Sequence, residues 1–174
     1  MISSTRKIIG FGIAVLVLTA CQISKKELGK EITRLENEIA TEYNMEKMDS
    51  LSLLYQQYIK EYPQDSLVAE YLYKSGMLNI SLRNGPEALT DLTVLANRFP
   101  KYAYLPEVYY YIAFIYEDIM YDIIAAKAAY YSFIDKYPNH RLLPDATLSI
   151  QYLGQSPEEI VATFQQNDTI HLEE

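Results

Sequence analysis

Few residues in this chain of 174 could carry out chemistry. The two histidines, His140 and His171, have no partner at a spacing that would close a metal site. Two acidic pairs invite comparison with catalytic carboxylates, Glu117-Asp118 and Glu158-Glu159. Adjacent residues on a helix point about 100° apart, so neither pair converges on one substrate atom. The second pair has a better explanation in Ser156-Pro157-Glu158-Glu159. Ser156 as N-cap, Pro157 as first helical residue and Glu159 reaching back make a capping box. Glu117-Asp118 reads as a solvated helix face. No GxGxxG, phosphate-binding loop or nucleophile elbow occurs. The residues point to no catalytic group, no metal and no cofactor.

The single cysteine, Cys21, stands in a different context. Arg6 and Lys7 form a positive stretch, Ile8–Leu18 an apolar run, and Leu18-Thr19-Ala20-Cys21 closes it. That is a secretory signal, too short for a comfortable membrane span. With its lipobox-like end it resembles bacterial lipoproteins, in which the cysteine thiol takes a diacylglycerol and the chain is cut just before it. The resemblance implies a signal peptide over residues 1–20 and Cys21 as lipid anchor, its acyl chains (palmitate among them) holding the protein to a membrane. A lone cysteine forms no intramolecular disulfide, so packing must hold the fold despite export. Gln22, rather than aspartate, follows the cysteine, and no acidic cluster comes after it. By the sorting rules of such lipoproteins this implies the outer membrane and its periplasmic face.

The net charge is −8, and cleavage after residue 20 removes Arg6 and Lys7 to leave −10. Such a chain repels phosphate backbones and anionic headgroups, which argues against nucleic acid as a partner. Hydrophobic residues make up 49% with six glycines and seven prolines, which favours helix in one domain.

What would position any functional residue is a repeat. YIKEYP ends at Pro63, LANRFP at Pro100 and FIDKYP at Pro138, spaced 37 and 38 residues apart. Six residues after each proline come Ala69, Pro106 and Pro144, each followed by an acid: Glu70, Glu107 and Asp145. Proline suits the first helical turn and an acid suits the positive helix end. The clearest unit is Pro106–Pro138. Tyr109, Ile112, Ala113 and Tyr116 form one helical stripe, and Ala126, Tyr130, Phe133, Ile134 and Tyr137 another. Ala113 and Ala126 are small enough to let two helices approach closely.

Leu72–Gly76–Asn79 with Ala88–Leu92–Leu95–Pro100, and Tyr109–Ala113–Tyr116 with Ala126–Tyr130–Phe133–Pro138, resemble the tetratricopeptide repeat (TPR). The period exceeds the usual ~34 residues, an excess that fits the longer loops KYAYL and NHRLL. The variant resembles short envelope TPR lipoproteins of Bacteroidetes. More distantly it is similar to the TPR lipoprotein of the outer-membrane β-barrel assembly machine and to the TPR coordinator of the Tol-Pal system. The resemblance spans Leu51 to Phe164. It implies an all-α, right-handed α-solenoid of about three helical hairpins, which acts as a non-catalytic adaptor for protein or peptide partners in the envelope.

The remaining segments fit that plan. Residues 21–27 read as a tether, 28–166 as the repeat domain and 167–174 as a tail. Leu28, Ile32, Leu35 and Ile39 form a seam that either oligomerises or packs on Leu51–Tyr62. Two heptads are short for a coiled coil, so packing and a monomer are favoured. Asp49 or Ser50 is the expected cap of the next helix. Ile160, Val161 and Phe164 of a C-terminal capping helix would cover the last hairpin.

Tyrosine is the unusual component, with 17 copies and no tryptophan. In TPR proteins the first helix of each hairpin lines the concave face, which places two stripes in one groove: Glu70, Tyr73, Met77 and Ile80, and Glu107, Tyr110, Phe114 and Glu117. Tyr73, Met77, Tyr110 and Phe114 are expected to be partly exposed there, with Tyr109, Ile112 and Tyr116 buried between helices. Tyrosine, methionine and phenylalanine ringed by acids suit a protein partner. The alternatives are a groove filled by the protein's own terminal helices, or a glycan-binding lipoprotein whose tyrosines stack on sugar rings.

Overall fold

The computed structural model describes residues 23–156 and 158–162, and every regular element among them is helical. The leader, Cys21, Phe164, His171 and the tail lie outside those residues. The helices are α1 (Lys25–Thr41), α2 (Met45–Glu61), α3 (Val68–Ser81), α4 (Gly85–Arg98), α5 (Leu105–Phe114), α6 (Ile123–Lys136) and α7 (Leu143–Tyr152). A π-helical turn, Ile115–Ile119, prolongs α5. Three hairpins follow one another, α1/α2, α3/α4 and α5/α6, and α7 packs on the third. The expected all-α solenoid of three hairpins is the observed architecture.

Local signals set most boundaries. Ser24 and Glu27 form a reciprocal capping box at the start of α1. The helix therefore begins at Lys25, inside the stretch read as a tether, because Ser24-x-x-Glu27 supplies the two missing partners of the first turn. Asn44, whose side chain accepts from the Lys47 N–H, caps α2. Asp49 and Ser50, the expected caps, lie inside that helix. Pro86, Pro106 and Pro144 stand in the first turns of α4, α5 and α7. The capping box at Ser156 is present, with Ser156 N donating to Glu159 Oε2 at 2.7 Å and Glu159 N to Ser156 Oγ at 3.2 Å. The helical residues after it leave Val161 exposed and Ile160 half-buried. α7 packs on the third hairpin with its Ala146 fully buried, and Phe164 of the expected capping helix lies outside the described residues.

The core forms along the hairpin seams. Leu28, Ile32 and Leu35 of α1 pack with Leu51, Tyr55 and Tyr58 of α2 and Tyr71 of α3. The opening seam is thus satisfied within the chain. Leu72, Ala88, Leu92, Leu95, Val108 and Ile115 fill the second cluster, and Ala113, Tyr130, Phe133 and Ala146 the third. Small residues set the spacing: a Cβ on Gly76 would lie 2.5 Å from Leu92 Cδ2, and Ala113 and Ala126 are wholly buried.

The uneven period has a structural cause. Gly76 and Ala113 are 37 residues apart, whereas Ala88 and Ala126 are 38 apart. One residue must be absorbed between Ala113 and Ala126, and the π-turn takes it. The turns after α3 and after the π-turn then match: Arg83 and Tyr121 both have left-handed backbones, at φ 58° and 54°.

One buried group stands out between the first two hairpins. Asp91 is almost wholly buried, and the side chains that bond it are neutral. Gln56 Nε2 donates to its Oδ1 at 2.7 Å and Asn79 Nδ2 to its Oδ2 at 3.5 Å. Burial pushes the Asp91 carboxyl above the usual range, against the pull of Ser75, Gln56 and Asn79. A raised native pKa favours the protonated form. Its contribution to stability is complete below the unfolded value of about 4 and is lost as pH rises through the native value. Asp91→Asn stays neutral throughout. Wild type should therefore lose stability relative to Asp91→Asn between about pH 4 and neutrality, as read from urea midpoints; parallel profiles would remove the penalty from Asp91.

Candidate functional site

An open apolar groove of about 530 Å³ runs between α1 and α3. Met48, Leu51 and Tyr55 of α2 form its floor, and each is buried against the first core cluster or beside it. Ile39 and Ala40 supply one wall, and Tyr73, Met77, Leu78 and Ser81 the other. At one end Lys74 Nζ donates to Glu36 Oε1 at 2.9 Å, an ion pair that ties the two walls together. Tyr55 Oη donates to the same oxygen at 2.7 Å. Burial first, and the Glu36 carboxylate second, push the Tyr55 phenol far above its usual range, so it remains a donor. A thioether, a methyl and an aromatic ring around an apolar floor can accept an apolar side chain. The polar groups nearby are already engaged with each other.

This groove takes only part of the expected set. Tyr73 and Met77 line it. Ile80 packs instead against the second core cluster. Glu70 accepts from Tyr102 Oη at 2.9 Å and lies 3.7 Å from Lys74 Nζ. Tyr73 also stacks on Tyr104, with ring centroids 5.6 Å apart, in a cluster that includes Tyr102.

The second stripe comes within electrostatic reach of the first, Glu107 near Tyr73, but does not line this groove. Glu107 is buried and takes an ion pair from Arg141 at 3.3 Å, with His140 Nε2 at 3.5 Å. Tyr110 lies edge-on to the buried rings of Tyr130 and Phe133, each 5.8 Å away. Glu117 accepts from Tyr130 Oη at 2.5 Å, and Phe114 is half-buried. Nor are Tyr109, Ile112 and Tyr116 buried as expected; they share the half-buried class of Tyr110 and Phe114. The reason is that α5 is covered on two sides. Val108 and Ile115 face the second cluster, and Ala113, with Tyr109 and Tyr110 beside it, faces the third. A helix sandwiched in this way buries two stripes, so an offset of one residue no longer separates core from surface.

All the lining residues but Tyr73 and Met77 were missed in the sequence, Ile39, Ala40, Met48 and Tyr55 among them. Met48, Leu51 and Tyr55 do share helical spacing, but their common target is α1, which had to be placed first. The tyrosines also lack the arrangement a sugar site needs. Tyr55, Tyr102 and Tyr130 spend their hydroxyls on carboxylates, and Tyr73, Tyr102 and Tyr104 pack on one another. The glycan reading is not favoured. Among the described residues, no group of three histidine, cysteine, aspartate or glutamate side chains could hold a metal ion, and no helix is long and apolar enough to cross a membrane.

A family model described as tetratricopeptide repeat matches residues 107–140. That segment covers α5 from Glu107, the π-turn, α6 and the loop to His140. With three hairpins of the same plan around that one matched segment, the fold is a TPR-like solenoid, an architecture that suggests protein–protein interaction. No curated protein matches the chain.

The placement of Tyr110 is open to test. Tyr110→Ala should lower stability by about 2 kcal/mol, as partly buried large-to-small changes do, and by an amount similar to Tyr109→Ala. A chemical denaturation midpoint unchanged in Tyr110→Ala alone would restore it to the surface.

Proposed function

We propose that this protein is a non-catalytic adaptor, anchored to the outer membrane through an acylated Cys21 and facing the periplasm. There it holds a protein or peptide partner that serves in building or maintaining the cell envelope. The observation that carries the adaptor reading is the α1–α3 groove. It is apolar, open and lined by Met77 and Tyr73, on a TPR-like scaffold whose repeats commonly serve protein–protein contacts. Methionine and tyrosine offer adaptable and rigid contact area respectively, and both are typical of such surfaces. The anchor rests on Leu18-Thr19-Ala20-Cys21 behind a basic and then apolar leader. Its place agrees with how the chain enters the fold. Lys25 pairs with Asp65 in the loop between α2 and α3, so the first helix starts at the loop edge of the solenoid.

Two experiments separate the parts of this proposal. Cys21→Ser should move the protein from the membrane pellet to the soluble periplasmic fraction, and wild type should carry acyl mass on Cys21. A pelleting variant together with an unmodified wild type would end the lipoprotein reading. For the groove, a photo-crosslinking side chain at Met77 should yield protein adducts in intact envelopes. The same group at Leu53, exposed on α2 and outside the groove, should not. Equal yields from both positions, or none at Met77, would remove the groove from the adaptor reading.

A further inference from the structure

The solenoid has two long edges. One carries the loops at 62–67, 99–104 and 137–142; the other carries the tight turns within each hairpin. Contacts between neighbours keep the edges apart. Arg98 reaches the Pro63 carbonyl along the loop edge, and Arg83 reaches Asp118 along the turn edge. At the third hairpin the turn edge exposes a run of large apolar residues. Met120 is 42% exposed, Tyr121 73%, Ile123 39% and Ile124 85%. An isolated exposed isoleucine needs no explanation, but four such residues at one tip do.

Comparison with the preceding hairpin shows that the turn does not require them. At the matching positions, 38 residues earlier, stand Leu82, Arg83, Gly85 and Pro86. Gly85 is buried under the next turn, where a Cβ would meet Met120 Sδ at 2.6 Å. Among the described residues, Ile123 is only partly covered by the chain around Gly154, and Ile124 by nothing comparable. Tyr121 also holds a left-handed backbone, a conformation suited to glycine or asparagine and costly for a bulky side chain. Arg83, in the same conformation, is occupied within the fold, since it donates to Asp118 Oδ2 at 2.8 Å and to Tyr121 Oη at 3.4 Å. The Tyr121 ring has no comparable burial. The π-turn that ends just before Met120 supplies the extra residue that brings this tip into register.

The charges around the tip select its partner. Glu87, Glu117, Asp118 and Asp122 lie at or beside this edge, against Arg83 and Lys127. Arg83 is paired with Asp118, which leaves a clear acidic excess. We infer that the turn edge of the third hairpin is a second docking surface, which receives a basic amphipathic segment of a partner protein. Its apolar residues would cover Tyr121, Ile123 and Ile124, and its lysines or arginines would face the surrounding carboxylates. This extends the adaptor reading to a second surface. With anchoring at the loop edge, α6 would hold the tip about 20 Å away from that edge at 1.5 Å per residue. The groove and the tip could then engage different chains.

The test uses the full chain and a labelled amphipathic helix of leucine and lysine, with fluorescence anisotropy as readout. Wild type should bind this peptide in a salt-sensitive manner and should not bind its glutamate-for-lysine counterpart. Ile124→Ser should weaken binding by about 10-fold or more, as loss of a central apolar anchor does. Tyr121→Gly removes the ring and the backbone strain together, so it should raise the melting temperature while weakening the peptide; a misfolded variant could not do both. Met77→Glu, in the groove, should leave this binding intact. Equal binding of both peptides, or full binding by Ile124→Ser and Tyr121→Gly, would overturn the proposal. So would a wild-type dimer in sedimentation that Ile124→Ser converts to monomer, since the tip would then be an interface between copies. Loss only in Met77→Glu would leave the groove standing and the tip without a role.

Discussion

The close approach of paired helices is the constraint on which the rest of this molecule depends. At Gly76 the gap to Leu92 leaves no room even for a methyl group, and at Ala113 and Ala126 the third hairpin closes over side chains that stop at Cβ. Large residues opposite, Leu92 in one hairpin and Tyr130 and Phe133 in the other, fill the space that the small ones leave. Each hairpin is thin and cannot bury its own faces. Val108 and Ile115 therefore belong to the core of the second hairpin although they sit in the third. Stability in such an array is shared between neighbours, and the ends need special treatment.

Tyrosine chemistry follows from that thinness. A phenol taken out of water must find an acceptor, and the buried Tyr55 and Tyr130 and the half-buried Tyr102 find carboxylates: Tyr55 on Glu36, Tyr102 on Glu70 and Tyr130 on Glu117. In each case burial is the main cause that raises the phenol's pKa, with the carboxylate next, so the hydroxyl stays a donor at neutral pH. The acidic excess of the chain thus has internal uses, at Glu70 and Glu117 among others. Open apolar surface includes the α1–α3 groove and the tip of the third hairpin. These are places where a partner can gain contact area without displacing a hydrogen-bonded pair.

The helical-hairpin repeat was legible in the sequence because its determinants are local. Prolines after Tyr62, Phe99 and Tyr137 stop the second helices, and acids at Glu70, Glu107 and Asp145 mark the next starts. Apolar spacing of three and four fixes which helix faces are sticky, and Gly76, Ala113 and Ala126 mark where helices touch. The jump from a 37- to a 38-residue period was also visible as a number. Its meaning was not, since a one-residue excess fits a loop as well as a π-turn.

What only the tertiary structure decided is which sticky faces stay open. Stripes on α3 and α5 look alike in sequence, yet Met77 faces a groove while Tyr110 lies against Tyr130 and Phe133. The difference comes from what packs on each side chain: Met77 lies in the space between α1 and α3, whereas the buried rings of α6 stand edge-on to Tyr110 in the third cluster. Periodicity reports that a face is apolar, not how many neighbours it has. The exposed run at Met120–Ile124 is hidden in the sequence for the same reason, because four apolar residues at a helix boundary read as core until the structure leaves Ile124 85% exposed.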